Sequence, residues 1–480
     1  MKLTFTRGKK LWAIISLAAV LLISLSGGVK LAADAKSYLG ALSGTKTQTD
    51  NKSSTSAIKA DLAYLMNISQ FPVISQILGL AGLNFSGIKD ELNAGLEVAP
   101  AILNNSKPLK YLVSFQNSAE ARGTGGILGA FAILEFNKGK IKVIQTGSNA
   151  ILYDFAPKKI PLIVPDEFLK LYGQNPAIVQ NSNLSPHFPY GAEIWLALWN
   201  ERFGQKLDGV IAIDPIALSY VLKATGEIKL PTGEVITSDN VVEETLKNVY
   251  KRYEKDNDAR KQHLVDILDA AAEKVQAGQY SKLKMAQALR ESIIQNRLLV
   301  YSTDAEVEKT LSKTRLGGFM SLDANNEYRA VIQNIDAGKL DYYLDRKVSV
   351  KKLSCENDGT TQVKIRVTNT LASGKGLPAY VLTRADKGKP ENLVPGSHRF
   401  KVFIYGPVGS RLVTVSRENR TANLGGSSTE RKRPIYVADV DLRPGQSEEL
   451  LANFSDGKGR ITYVDQPLVR PTQIEISDKC

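Results

Sequence analysis

Nineteen consecutive uncharged residues, Leu11–Val29 (LWAIISLAAVLLISLSGGV), constrain this chain more than any other feature. As a helix they reach about 28 Å at ~1.5 Å per residue, close to the hydrocarbon thickness of a bilayer. Lys2, Arg7, Lys9 and Lys10 precede them, and the first ten residues carry no acid. The positive-inside preference then keeps residues 1–10 in the cytoplasm and puts everything after Lys30 outside. We read 11–29 as a single-pass signal-anchor. The competing reading is a signal peptide cleaved near Ala32, Ala33 and Ala35. Both readings export the bulk of the chain across the cell membrane.

Lys and Arg outnumber Asp and Glu by 62 to 49, a net charge of +13 that invites a nucleic-acid reading. The four flanking charges set topology instead. The remaining +9 faces the cell envelope, where the available polyanions are wall polymers and anionic lipid. No nucleic-acid partner is expected. Two cysteines, Cys355 and Cys480, cannot make a disulfide framework or a four-thiolate zinc site. The three histidines, His187, His263 and His398, show no metal-ligand spacing. We therefore expect no metal site and no cofactor.

After the anchor, residues 30–105 read as a linker and helical stalk. Ser43–Ser56 is polar and aperiodic. Ile58–Met66 and Ile88–Leu103 have helical spacing. The apolar stretch Phe71–Leu83 fits a core helix or a patch resting on the membrane. Residues 106–345 alternate between strand and helix patterns, which predicts an α/β core. Tyr111–Gln116, Ile127–Phe136 and Ile141–Thr146 are expected strands, the last two joined by a hairpin turn at Asn137. Asp208–Ile213 is a short buried strand, and Asp214-Pro215 signals a helix start, with Asp as N-cap. Ser238 or Asp239 is expected to cap the next helix. Residues 346–465 are an all-β pattern of short alternating strands, expected to form an antiparallel immunoglobulin-like sandwich. Residues 466–480 read as a tail.

The densest group of unusual residues is 116–126. Asn117, Glu120, Arg122, Thr124, Gly125 and Gly126 read as a glycine-rich turn between two strands. Its backbone N–H groups and the Arg122 fork could hold a phosphate or sugar acid. The alternative is an ordinary turn whose charges pair with buried groups. Asp208 and Asp214 bracket a buried strand and could bind a metal or do acid–base work; capping and ion pairing are the other reading. Arg297 could point into the same mouth. GxSxG, HExxH and a Walker loop are all absent, so the usual serine, zinc and P-loop chemistries are disfavoured and no catalytic residue is assigned.

The run 117–141 (NSAEARGTGGILGAFAILEFNKGKI) resembles the signature of the bacterial domain-of-unknown-function family 4012. That family shows Asn-x-Ala-Glu-x-Arg-x-Thr-Gly-Gly at this point. The runs 187–199, 207–230 and 296–311 look like the same family in the same order. The resemblance implies a single-pass exported bacterial protein with no settled activity. A more distant similarity is to the LytR–CpsA–Psr family, which transfers glycopolymers from a polyprenyl-pyrophosphate carrier to the cell wall using arginines and magnesium-binding acids. It would place Arg122 near a lipid pyrophosphate, and magnesium would be a cofactor only under this reading. The chain departs at two places: Thr124 stands where that family has an acid, and residues 146–149 where it has a second arginine. The expected function is binding of a phosphorylated or acidic wall glycopolymer, or of its polyprenyl carrier, with transfer as an extension. The alternative is a non-catalytic surface scaffold that meets protein partners through the β-sandwich.

Overall fold

The computed structural model describes residues 89–103, 105–137, 140–153, 164–173, 175, 178–354, 359–384, 393–417, 420–421, 427–455 and 459–479. The expected flank 1–10, the span 11–29, most of the stalk, Cys355 and Cys480 lie outside them. Among the described residues no helix is long and apolar enough to cross a membrane.

The chain divides into two compact units. The first comprises residues up to Leu109 together with Glu135–Lys142. Its described helix, Lys89–Leu103, matches the expected periodic stretch and carries Asp90 and Glu91 in its first turn, where the helix dipole favours acids. The second unit holds Lys110–Leu134 and Val143 onward.

The strands in the α/β part are β1 (Leu109–Arg122), β2 (Gly125–Asn137), β3 (Lys140–Ser148), β4 (Gly209–Ile213), the short β5 (Ile228–Lys229) and β6 (Val235–Ile236), and β7 (Leu299–Ser302). The main sheet has the order β3-β2-β1-β4-β7. β1 and β4 are parallel, with Tyr111 opposite Gly209 and Phe115 opposite Ile213. β4 and β7 are antiparallel. A parallel pair needs a long crossover, and the helix Phe188–Phe203 lies within it. That helix buries Trp195 and Trp199 among Leu112, Phe131 and Val210 of the sheet. Phe115 and Ala130 instead pack with Leu218, Leu222, Ile267 and Ala271 from two other helices. The period-two alternation of the strands thus gives each sheet face its own helices. Asp214 caps the helix Pro215–Thr225 by accepting from the Ala217 N–H at 2.8 Å, and Gly226 at φ 77° ends it, as the sequence predicts. The next helix starts at Val241 with Asn240 in the cap position, not Ser238 or Asp239. Asn240 instead uses its side-chain oxygen to accept from the Thr237 N–H, holding the turn that leads into the helix.

The remaining strands are β8 (Glu327–Asn334), β9 (Leu344–Lys352), β10 (Thr361–Asn369), β11 (His398–Tyr405), β12 (Arg411–Arg417), β13 (Arg420–Thr421), β14 (Ser427–Glu430), β15 (Arg433–Leu442), β16 (Ser447–Ser455), β17 (Thr462–Tyr463) and β18 (Gln473–Ser477). They form a six-stranded sheet, β13-β12-β16-β10-β9-β18, and a five-stranded sheet, β14-β15-β11-β8-β17. Val348, Val363 and Ile365 of the first share one buried cluster with Ala330, Ile332, Phe400 and Val402 of the second.

Three expectations about this part need correction. The all-β pattern begins before Arg346, because β8 pairs with β11 from Asn334–Phe400 to Arg329–Tyr405. The pairing is not wholly antiparallel, since β17 runs parallel to β8 and β18 parallel to β9. Residues 466–479, expected as a tail, pack into the fold. Leu468 is buried, and β18 adds an edge strand alongside Lys347–Lys351.

Candidate functional site

β1 does not stop at Gln116. It continues through the polar run to Arg122, turns at Gly123–Thr124, and β2 begins at Gly125. The expected long glycine-rich turn is therefore mostly strand. Most of its polar side chains find partners within the fold, while the Ser118 hydroxyl is buried with no hydrogen-bond partner among the described residues. The Gln116 side-chain oxygen accepts from the Gly126 N–H at 3.0 Å and from the Thr124 hydroxyl at 3.2 Å. Asn183 donates to Thr124 Oγ1 at 2.9 Å and to the Gly126 carbonyl at 2.8 Å. Asn117 donates to the Tyr250 hydroxyl at 2.6 Å. The glycines answer to close packing: a Cβ on Gly123 would lie 2.3 Å from the Leu184 carbonyl oxygen, and one on Gly126 2.2 Å from the Asn117 backbone.

Glu120 and Arg122 sit beyond this bracing. The Glu120 carboxylate pairs with Arg122 Nη2 at 3.1 Å and with Lys339 Nζ at 2.5 Å. Arg122 also donates to the carbonyls of Gln180, Ala121 and Asn334 at 2.7, 2.9 and 3.0 Å. All three charged residues are buried. Burial lowers the Lys339 pKa, but Glu120, with Tyr250 and Tyr380, more than offsets this, and the net direction is upward. The ammonium stays charged and lies 4.9 Å from the centre of the Tyr380 ring. Arg260 stacks on the same ring at 3.9 Å. A cleft of about 590 Å³ opens over this group, lined by Glu120, Arg122, Lys339, Tyr172, Tyr380 and Phe403 among others. Two cations and one carboxylate make its floor positive.

The other predicted residues do not reach this cleft. Asp214 pairs with Arg297 Nη1 in addition to capping its helix. Arg297 further donates to Gln295 Oε1 at 2.9 Å and to the Leu468 carbonyl at 2.8 Å. Thr124, Gly125, Asp214 and Arg297 line a separate space of only about 10 Å³, room for one water at most. Asp208 accepts from the Lys110 N–H at 2.7 Å. The two acids at the ends of β4 are thus committed to backbone N–H groups and an ion pair, and they do not converge.

Sequence reasoning missed the residues that complete the site. Lys339, Tyr380 and Phe403 come from beyond the α/β part, more than 200 residues from Glu120, and no local pattern links them to it. Gln466 was also missed. It donates to the Arg122 carbonyl at 2.7 Å and the Ile332 carbonyl at 2.8 Å, and accepts from the Ile332 N–H at 2.8 Å. The C-terminal segment therefore braces the arginine turn. A third group is Glu234, Glu244 and His263, whose potential ligand atoms lie within 4.8 Å of one another. Their spacings of ten and nineteen residues match no short metal motif.

Fold and site together define a mixed α/β protein with a buried, positively floored cleft shared between its α/β part and its β strands. Residues 106–250 match the family described as "Protein of unknown function (DUF4012)". No curated protein matches the chain. Among solved structures it is similar to protein gbs0355 from Streptococcus agalactiae, at 13% identity and TM-score 0.27, covering 45% of this chain and 76% of that one. It is also similar to Lin1025 protein from Listeria innocua, at 12% identity and TM-score 0.22, covering 45% and 79%. A putative nutrient binding protein from Legionella pneumophila is 9% identical at TM-score 0.18, and the match covers 31% of this chain and 53% of that one. Likenesses this low carry no argument about function.

Proposed function

We propose that this is a single-pass envelope protein, anchored through residues 11–29, whose extracytoplasmic part binds an acidic or phosphorylated wall glycan, or the pyrophosphate of its polyprenyl carrier. One observation carries the reading: the 590 Å³ cleft places Arg122 and Lys339 against a single carboxylate, Glu120, on a buried floor. A buried cation in excess favours an anionic ligand. Tyr172, Tyr380 and Phe403 supply faces on which a sugar ring can rest. Binding has better support than LytR–CpsA–Psr-like transfer, because Asp208 and Asp214 hold backbone groups and Arg297, and so offer magnesium no pair of acids.

The test is calorimetric titration of the full chain in detergent with poly(glycerol phosphate) and with a neutral dextran. The acidic polymer should bind and dextran should not. Tyr380→Ala should weaken binding by about tenfold, or ~1.4 kcal/mol, through loss of the exposed ring. Equal affinity for both polymers, or none, rejects the reading.

A second reading, a scaffold, draws on β18. We infer that the two β sheets form the expected immunoglobulin-like sandwich. β18 is then its outermost strand on one side, and Ile474 and Ile476 are exposed on it, a feature suited to strand addition by a partner. If Ile474→Lys/Ile476→Lys leaves envelope pull-downs unchanged, this reading fails.

A further inference from the structure

Glu234, Glu244 and His263 come from three separate elements. Glu234 precedes β6, Glu244 opens a π-helical turn over Glu244–Asn248, and His263 lies on the helix Asn257–Gln276. One ligand atom from each falls within 4.8 Å of the others. Arg252 reaches into the same space. Its Nη1 is 2.8 Å from both Glu234 oxygens, and its Nη2 is 2.6 Å from Glu244 Oε2. Two carboxylates around a guanidinium make an ordinary ion-pair network. His263 does not belong in one. Among the described residues, its Nε2 meets only the Arg252 guanidinium, at 3.4 Å, and its Nδ1 only a distant Tyr253 hydroxyl, at 3.5 Å, and the Glu234 carboxylate, at 3.8 Å. Its side chain is 1% exposed.

Burial, helped by Arg252 and opposed by Glu234, holds the His263 pKa below its ordinary value. A buried imidazole whose ring lies within reach of two carboxylates is the donor set of a metal ion. The π turn is a second, independent sign: such turns are rare and concentrate at functional sites.

We propose that Glu234, Glu244 and His263 form a divalent metal site, suited to zinc, and that Arg252 is the built-in cation that the metal displaces. One nitrogen and two carboxylates are a zinc-type set that leaves a fourth tetrahedral position for water or a ligand. Arg252 can leave without opening the core, because its side chain is 36% exposed. It lies at the C-terminal end of the short helix Val249–Arg252. Zinc brings a second positive charge to the two carboxylates, and the guanidinium moves to solvent.

The test uses the full chain in detergent, in a Cys355→Ser/Cys480→Ser background that removes competing thiolates, titrated calorimetrically with zinc chloride. One zinc should bind per chain. Glu244→Gln and His263→Ala should each weaken it by about tenfold or more. Arg252→Ala should tighten it by about tenfold, because the competing cation is gone. If the thermal melt shows that Arg252→Ala does not fold, Arg252→Gln carries the same expectation while keeping hydrogen bonds to the carboxylates. Cobalt(II) in place of zinc should give tetrahedral visible bands. Unchanged affinity in Glu244→Gln and His263→Ala overturns the site, and unchanged or weaker binding in the Arg252 variants overturns the displacement.

Discussion

Glu120 and Lys339, 219 residues apart in the chain, meet as a buried ion pair at the floor of the cleft. The pair joins the end of β1 to the segment that follows β8, so it fixes the position of the proposed anion site as well as its charge. Lys339→Met should destabilise the protein by about 3 kcal/mol in urea melts, because Glu120 loses one of its two buried cations. Adding Glu120→Gln to Lys339→Met should restore part of that loss. A double variant no more stable than the single one would contradict the pairing.

Asp214 holds its helix and Arg297 at once. Asp214→Ala should cost about 3–5 kcal/mol, roughly 1 from the cap and the rest from leaving Arg297 buried and unpaired. Asp214→Asn keeps the cap and should cost less. A loss of only about 1 kcal/mol in Asp214→Ala would show that the Arg297 contact contributes nothing, and equal losses in the two variants would show the same of the cap.

Gln466 makes three buried hydrogen bonds to the arginine turn and β8. Gln466→Ala should therefore cost about 2–4 kcal/mol. Gln473→Ala, on the exposed edge strand, should change stability by less than ~0.5 kcal/mol. A denaturation series on both checks the contrast.

Glu308 sets a pH dependence. Burial, opposed by a hydrogen bond from the Ser302 N–H and aided by Glu193, pushes its carboxyl up to about 7 from an ordinary 4.5. The folded protein therefore holds this proton after the unfolded chain has released it. The group's contribution is neutral below about pH 4.5, becomes increasingly destabilising as pH rises toward 7, and is constant above that. Glu308→Gln can still accept from Ser302, so it should be more stable than the parent at pH 8 and equal to it at pH 4. A parallel pair of urea midpoints across that range would contradict this.

Local chemistry was legible in the sequence. The Asp214-Pro215 helix start, the hairpin at Asn137 and the alternating valines of β9 and β10 each depend on neighbours within a few residues. The run from Gln116 to Glu120 was misread because polar residues usually mark a loop. Here Gln116, Ser118 and Glu120 are all buried, and Gln116 and Glu120 find hydrogen-bond or ion-pair partners in the fold. The β8–β11 pairing and the Lys339–Glu120 contact depend on segments 64 or more residues apart. β18 was readable in principle, since Gln473–Ser477 alternates as a strand should, but its parallel partner β9 lies over 100 residues upstream.

The most direct test of the central claim is a structure of the protein with a short glycerol-phosphate oligomer. A phosphate should lie within hydrogen-bond distance of Lys339 Nζ or Arg122 Nη2, with the oligomer running past Tyr380. An oligomer bound at another surface, with the cleft beside Arg122 holding only solvent, would contradict the account.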